Sequence, residues 1–275
     1  MTKRCVFVLG LVLAGAAPAA EQTAPAAAAA PAAAAATPVA GGKAEANAGG
    51  ERLEWEAWRA QNDTSNVASL QQGARNFMNY CVTCHSLKYM RYSRMASDLH
   101  ISTEQLQQNL MPIEARPSDY ITTSLNAKDA VAWFGKEPPD LSLMARARGV
   151  DYLYRFLKTF YTEPGNAAAS YNLAFETEAK VHATVAMPAV LSDLSGVQTP
   201  VYDDKHEFVR FESTPGRMKP AEYDAFVRDT VNFLDYVSEP AQVDRRSIGI
   251  WTVLFLLVFT WIAYLLKQEY WKDVH

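Results

Sequence analysis

The chain has little cysteine: its 275 residues include only three, Cys5, Cys81 and Cys84. Three cysteines cannot staple a disulfide-dense fold, and they cannot supply the four thiolates of a zinc or iron–sulfur site within one chain. The chain also lacks a basic excess, because 26 Lys and Arg stand against 30 Asp and Glu. A nucleic-acid binder needs a basic face to neutralise phosphates, so we expect no nucleic-acid partner.

The first 20 residues have the composition of an export signal. Basic residues at 3–4 precede an apolar run over 5–17, and small residues at 16–20 precede Glu21. An uncleaved anchor is the alternative, but a run of about 13 apolar residues is too short to span the hydrocarbon core of a bilayer. Residues 1–20 are therefore predicted to be a secretory signal, and Cys5 would leave with it.

Residues 21–50 consist largely of Ala, Pro, Gly and Thr. Pro31 and Pro38 interrupt the Ala runs, and no amphipathic stripe offers a face that could dock onto a core. We predict a disordered linker or tail, with a docking segment as the alternative.

A second apolar segment, residues 248–266, contains 19 residues without a charge. At about 1.5 Å rise per residue it covers roughly 28 Å as a helix, enough to cross a membrane once. Trp251, Trp261 and Tyr264 lie towards its ends, as interfacial aromatics do. A buried core helix is the alternative, but such helices rarely stay apolar on every face for five turns. We predict a single transmembrane anchor at 248–266.

The orientation of that anchor is not set by its flanking charges. Arg245 and Arg246 precede the span, and Lys267 and Lys272 follow it, so the positive-inside count is balanced. The predicted export signal decides instead. It places residues 51–247 in the periplasm, outside the inner membrane, and the tail 267–275 in the cytoplasm.

The body, residues 51–247, is predicted to be mainly α with long loops. Apolar residues recur at helical spacing over 68–80, 128–134, 149–161 and 220–237. Strand patterns are sparse, with the best short candidate at 207–212. Pro and Gly mark loops at 112–117, 135–139, 164–165 and 215–220.

One motif carries chemistry: residues 81–85 read Cys-Val-Thr-Cys-His, the C-x-x-C-H attachment motif of a c-type haem. One helical turn places both sulfurs where each can form a thioether to a haem vinyl, with the imidazole of His85 under the iron. Half a zinc site and a dithiol redox pair are the alternatives. The chain has no second C-x-x-C for zinc, and a dithiol pair would not need His85.

The second axial ligand of such a haem is left open by the motif, because it can be Met, His or absent. The other histidines are His100, His182, His206 and His275, and the methionines after the motif are Met90, Met95, Met111, Met144, Met187 and Met218. Met90 and Met95 are too near the motif in sequence to reach the opposite face easily, and Met144 lies in a predicted helix. Met187 follows a predicted loop over 177–186, where extended backbone can present a thioether. Spacing alone favours Met187 without deciding the question, because a Met is more often core filler than a ligand.

Several stretches beyond the motif resemble the cytochrome c1 family, the haem-bearing, membrane-anchored subunit of the bacterial cytochrome bc1 complex. They occur in the family's order over most of residues 70–266: Cys81–Leu87, Tyr92–Arg94, Trp133–Gly135, Pro138–Ser142, Arg146–Arg148, Asp151–Tyr152, Ala186–Pro188, Ser238–Pro240 and Arg245–Arg246. The resemblance implies a cytochrome c-type haem domain with long loop insertions and one C-terminal transmembrane helix.

The same resemblance implies residue roles and a cofactor. One haem c would be bound covalently by Cys81 and Cys84, with His85 and Met187 as its axial ligands. Pro138 and Pro139 would pack on the haem edge. Arg148 and Tyr152 would meet a haem propionate, for which a guanidinium offers a planar fork of donors.

The function implied is one-electron transfer within the quinol–cytochrome c reductase complex. The partners would be cytochrome b, the Rieske iron–sulfur protein as electron donor and a c-type cytochrome as acceptor, within a dimeric complex. The complex is the enzyme, and this chain would be its non-catalytic electron-transfer subunit. A membrane-tethered monohaem shuttle or oxidase subunit is the alternative, followed by a non-haem binding protein with an incidental C-x-x-C-H.

Overall fold

The computed structural model of the protein describes residues 54–272, apart from 164, 180 and 205–207. The predicted signal at 1–20, the Ala/Pro-rich segment at 21–50, His206 and His275 lie outside the described residues. After one 3-10 turn at Glu54–Ala57, the described elements are α1 (Val67–Tyr80), β1 (Leu87–Arg91), α2 (Tyr92–Asp98), α3 (Thr103–Asn109), β2 (Tyr120–Ile121), α4 (Ala127–Phe134), α5 (Met144–Arg148), α6 (Val150–Lys158), β3 (Phe160–Glu163), β4 (Asn166–Asn172), α7 (Leu173–Ala179), α8 (Ser192–Ser195), β5 (Gln198–Tyr202), β6 (Phe208–Ser213), α9 (Pro220–Ser238) and α10 (Gln242–Tyr270). The mainly α fold class is confirmed.

Local signals set the ends of the helices that support the site. The side chain of Asn66 accepts the Ser69 amide at the start of α1, and Pro220 occupies the first turn of α9. Helix α4 ends at Phe134, and the Gly135 that caps it has a left-handed φ of 74°. The helices predicted over 68–80, 128–134 and 220–237 are confirmed to within one residue at either end.

The helix predicted over 149–161 is wrong at its C-terminal end. Helix α6 stops at Lys158, and β3 begins at Phe160. The buried Asn172 explains the stop, because its Nδ2 donates to the Phe156 carbonyl at 2.7 Å and so satisfies a helix-end acceptor from outside the helix. The chain then turns at Gly165, with φ of 93°, inside the predicted loop at 164–165.

The described strands form three two-stranded antiparallel sheets, which pair β1 with β2, β3 with β4 and β5 with β6. The strand predicted at 207–212 is confirmed as β6. The spacing of apolar residues did not predict the β3–β4 hairpin, because β3 continues the apolar pattern of α6 and β4 is rich in Ala. The predicted loop over 177–186 is partly helical, since α7 extends to Ala179.

The main core lies between α1 and α9. Gly73 allows the close approach of the two helices, since a Cβ at that position would lie 2.1 Å from the Asp229 carbonyl oxygen. The rings of Phe77 and Phe233 pack beside it with centroids 5.9 Å apart. A second buried cluster lies under the β3–β4 hairpin and contains Trp55, Tyr161, Tyr171, Leu173 and Ala174.

Helix α10 differs from every other described helix, because none of its residues is buried against the rest of the chain. Its best 18-residue window has a mean hydropathy of 2.2, and its length and composition suffice to cross a membrane. The helix contains the predicted anchor at 248–266 and extends beyond both ends of it. One C-terminal apolar helix of membrane-spanning length is thus confirmed.

Candidate functional site

The C-x-x-C-H motif continues the path of α1 by one turn. Cys81 caps the helix and donates its amide to the Phe77 carbonyl. The amides of Cys84 and His85 then return to the Cys81 carbonyl at 3.1 and 2.8 Å. Residues three apart on a helical turn share a face, so the turn presents both sulfurs on one side. Cys81 and Cys84 are both half-buried.

The environment of Cys81 does not suit a redox dithiol. Burial, with a smaller contribution from Cys84, raises the pKa of the Cys81 thiol to about 12. Reactive dithiols need a lowered pKa, because the thiolate is the nucleophile. In the part of the chain that the structure describes, no group of three or more His, Cys, Asp or Glu could hold a metal ion by itself.

The His85 ring is oriented by a backbone carbonyl. Its Nδ1 lies 2.8 Å from the Pro139 oxygen, and because a carbonyl only accepts, Nδ1 must carry the proton. Burial lowers the pKa of His85, and this hydrogen bond and the charge of Asp140 oppose the shift in part. The lone pair on Nε2 is therefore available for a metal, in the arrangement by which metal-bound histidines are normally held.

Hydrogen bonds made by residues 140–142 hold the Pro139 carbonyl in position. Asp140 accepts the Lys88 amide at 2.8 Å through one carboxylate oxygen and the Ser142 amide at 3.0 Å through the other. The Leu141 amide donates to the Ser86 carbonyl at 2.9 Å. The Pro-Pro-Asp-Leu-Ser stretch is thus joined to Ser86 and Lys88, just after the motif.

Sequence reasoning did not assign this role to Asp140 or Ser142. The signal that could have found Asp140 is its position two residues before Ser142, since Asp often accepts the amide two residues ahead in a turn. The Ser142 hydroxyl accepts the Tyr89 amide at 3.2 Å, which extends the same attachment. Of the two prolines predicted to contact a haem edge, Pro138 is half-buried and Pro139 is exposed.

Arg148 and Tyr152 form a separate group with Glu178. The Arg148 guanidinium pairs with the Glu178 carboxylate and lies 5.3 Å from the centre of the Tyr152 ring. Burial, followed by a hydrogen bond to Glu178, raises the pKa of Tyr152 to about 12. The structure brings the two residues together, with a carboxylate of the chain as their common partner.

Met187 lies in the irregular segment after α7. It is half-buried and lines a cavity of about 340 Å³, together with residues of β3, α8 and α9. Neither His85 nor Arg148 lines this cavity.

The five other candidate methionines pack in or against the main core. Met90 and Met95 are 2% and 0% exposed in the main core, and Met111, Met144 and Met218 pack against it. Both ring nitrogens of His182 face carboxylates, Glu163 at 3.0 Å and Glu176 at 3.2 Å. Met187, by contrast, belongs to neither of the described core clusters.

These residues fit a covalently attached haem c. The two thiols on one turn match the attachment chemistry, and the Nδ1–H of His85 is fixed so that Nε2 remains free. The alternatives of a zinc site and a redox dithiol find no comparable support.

Comparison with known proteins gives a family. The Cytochrome C1 family model matches residues 57–274. The chain is 45% identical to "Cytochrome c1" of Allochromatium vinosum over 238 residues, covering 84% of this chain and 93% of the relative. It is 38% identical to the "Ammonia monooxygenase gamma subunit" of Nitrosomonas europaea, covering 84% and 93%, and 28% identical to "Cytochrome c1" of Rhodospirillum rubrum, covering 85% and 93%.

Proposed function

The chain belongs to the cytochrome c1 family, and on that premise we propose that it is the electron-transfer subunit of a quinol–cytochrome c reductase. It would accept one electron from a Rieske iron–sulfur protein and pass it to a c-type cytochrome, beside a cytochrome b subunit and within a dimeric complex. Proteins of this family bind one covalent haem c, and the chain is a haem c protein. The bound haem supplies the one-electron carrier, and the protein sets its position and potential.

The observation that carries the proposal is the 2.8 Å contact between His85 Nδ1 and the Pro139 oxygen. This contact fixes the tautomer and the plane of the ring, so Nε2 would be the atom that holds the iron. Cys81 and Cys84 would form the two thioether bonds from the same helical turn. Because Pro139 belongs to the stretch fastened to residues 86–89, the attachment turn and the orienting carbonyl form one unit.

Met187 is proposed as the second axial ligand. The support is twofold: the other methionines after the motif pack in or against the main core, and both nitrogens of His182 are engaged. A thioether favours ferrous iron and raises the midpoint potential relative to a second imidazole. Such a ligand suits a subunit that must accept an electron readily.

The remaining site residues keep the roles that the resemblance implies. Pro138 and Pro139 would pack on the haem edge, and Arg148 with Tyr152 would meet a propionate. Arg148 has five N–H donors in a planar fork, so its pairing with Glu178 leaves donors for a second carboxylate.

The membrane arrangement follows from α10 and from the predicted signal. A single-pass membrane protein agrees with the one apolar helix of spanning length in the described chain. We propose that the haem domain lies in the periplasm, with residues 248–266 in the inner membrane and 267–275 in the cytoplasm.

Replacement of Met187 tests the axial assignment. We expect Met187→Leu to keep covalent haem, lower its midpoint potential and abolish reduction of the acceptor cytochrome. Met218→Leu is the matched control, since Met218 packs against the main core, and it should keep the native potential. A native potential and native turnover in Met187→Leu would show that another group binds the iron.

The partners are tested by purifying the full-length chain from membranes in mild detergent. We expect a multi-span cytochrome b and a Rieske protein to accompany it, and quinol to reduce its haem. Isolation alone, or with the subunits of a monooxygenase or an oxidase, would contradict the proposal.

A further inference from the structure

We propose that the β3–β4 hairpin is the platform that positions Met187, acting through Ser170 and His182. This inference rests on the proposed role of Met187 as an iron ligand, and it names the residues that hold that ligand in place. None of the contacts that carry it involves the motif at 81–85.

Ser170 on β4 holds the chain on both sides of Met187. Its carbonyl oxygen accepts the Val185 amide at 2.8 Å, and its hydroxyl oxygen accepts the Ala189 amide at 3.2 Å. These amides lie two residues before and two residues after Met187. One residue of the hairpin therefore fixes both ends of the five-residue arch that has Met187 at its centre.

His182 attaches the same segment to the hairpin a second time. Its Nε2 lies 3.0 Å from Glu163 at the end of β3, and its Nδ1 lies 3.2 Å from Glu176 on α7. Both contacts are within hydrogen-bond distance, so the ring bridges the two carboxylates. The ring also stacks on Tyr171 of β4, with centroids 4.9 Å apart and planes 7° apart.

The hairpin itself is anchored in the second buried cluster. Tyr161 of β3 is 1% exposed and stacks on Tyr171 with centroids 5.4 Å apart. The Tyr161 hydroxyl donates to the Glu176 carboxylate at 2.9 Å. Tyr161 and Met187 also line the same cavity. The carboxylates that receive His182 are thus tied to a rigid element.

Met187 depends on these attachments because its own side chain belongs to neither core cluster. A metal ligand is held in its productive geometry by the residues around it, and loss of those supports weakens metal binding. Fixed points at 182, 185 and 189 leave the arch little freedom. Ser170 and His182 are accordingly positioning residues, which act on the iron through Met187.

The experiment uses the full-length haem protein with Ser170→Ala, His182→Gln and the double variant. Two readouts report the thioether bond itself: the near-infrared charge-transfer band of methionine-ligated ferric haem, and carbon monoxide binding to the reduced haem. Loss of one or two hydrogen bonds changes a two-state ratio by roughly 5- to 30-fold. We expect the ratio of haem that binds carbon monoxide to haem that does not to rise by about that factor, with the band weakest in the double variant.

Ser195→Ala is the matched control. Its hydroxyl also borders the Met187 cavity, but it bonds to the carbonyls of Leu191 and Gly196, neither of which flanks Met187. This variant should keep the native band and carbon monoxide binding. Haem staining of a denaturing gel shows that each variant carries its haem, so a missing haem cannot be mistaken for loss of the ligand.

Met187→Leu distinguishes a wrong positioning role for the hairpin from a wrong axial ligand. If Met187→Leu loses the band while both positioning variants and their combination keep it, the platform is wrong and the axial assignment stands. If Met187→Leu itself keeps a native band, the axial assignment fails, and the platform fails with it.

Discussion

Replacing Gly73 by Ala should destabilise the domain, although Ala is the better helix former. Gly73 lies in the middle of α1 and faces α9. An added Cβ would lie 2.1 Å from the Asp229 carbonyl oxygen and 2.5 Å from the Phe233 Cβ. Both obstacles are rigid, because one is backbone and the other is the first atom of a buried side chain. The two helices would have to separate by about 1 Å to accept the methyl group.

The expected magnitude follows from two opposing contributions. In a helix interior, Gly→Ala contributes about 1 kcal/mol of stability through propensity. Overpacking against backbone costs about 3 kcal/mol, and separation of the helices also strains the Asn76 hydrogen bonds to Phe226 and Thr230 at 3.1 Å. We expect a net loss of about 2 kcal/mol, which for a domain of this size lowers Tm by roughly 4–8 °C.

The assay is thermal unfolding of the purified haem protein, followed by helical circular dichroism and by the haem absorbance. Gln72→Ala is the control, because Gln72 is exposed on the same helix, and this variant should keep Tm within about 2 °C. Since α1 delivers the attachment turn, Gly73→Ala should also reduce the yield of matured haem. An unchanged or raised Tm in Gly73→Ala would refute the close α1–α9 contact.

Three further predictions concern charge, anchoring and the site. Burial alone would raise the pKa of Asp224, but hydrogen bonds, that from Lys158 foremost, outweigh it and hold this pKa at about 2. The ionised Asp224 carboxylate therefore stabilises the fold above the ordinary carboxyl pKa, and this stabilisation is lost as the pH falls from about 4 towards 2. In Asp224→Asn the free energy of unfolding should lack that pH dependence. Truncation after Ser247 should give a soluble, redox-active haem protein, because no residue of α10 is buried; a fragment unable to hold haem after export would contradict this. Asp140→Ala should lower the free energy of unfolding by about 1–2 kcal/mol, because two backbone amides lose their acceptor. It should also raise the midpoint potential, because the Pro139 carbonyl is then held less firmly against His85. An unchanged potential would show that other groups hold the carbonyl.

The sequence predicted elements whose signals are local. The apolar stripes over 68–80 and 220–237 place α1 and α9 to within one residue, because the helical period is a local property of each segment. The C-x-x-C-H motif likewise predicts its cofactor, because one helical turn brings two thiols and an imidazole to the same haem.

The sequence could not predict features that depend on distant partners. Helix α6 stops early because the side chain of Asn172, on β4, donates to a carbonyl near the end of the helix. The apolar pattern of the helix gives no sign of this distant partner. The role of Asp140 depends on its bond to the Lys88 amide, 52 residues away. The pairing of Arg148 with Glu178 also joins elements 30 residues apart, so the carboxylate beside the predicted propionate ligand was not foreseen.

The direct test of the central claim is the mass of the peptide that contains residues 81–85, together with the pyridine haemochrome spectrum of the full-length chain. The account predicts one haem per chain, a spectrum of the c type, and a peptide whose mass includes haem bound to both Cys81 and Cys84. A peptide of unmodified mass, with both thiols open to alkylation in cells that mature other c-type cytochromes, would contradict it.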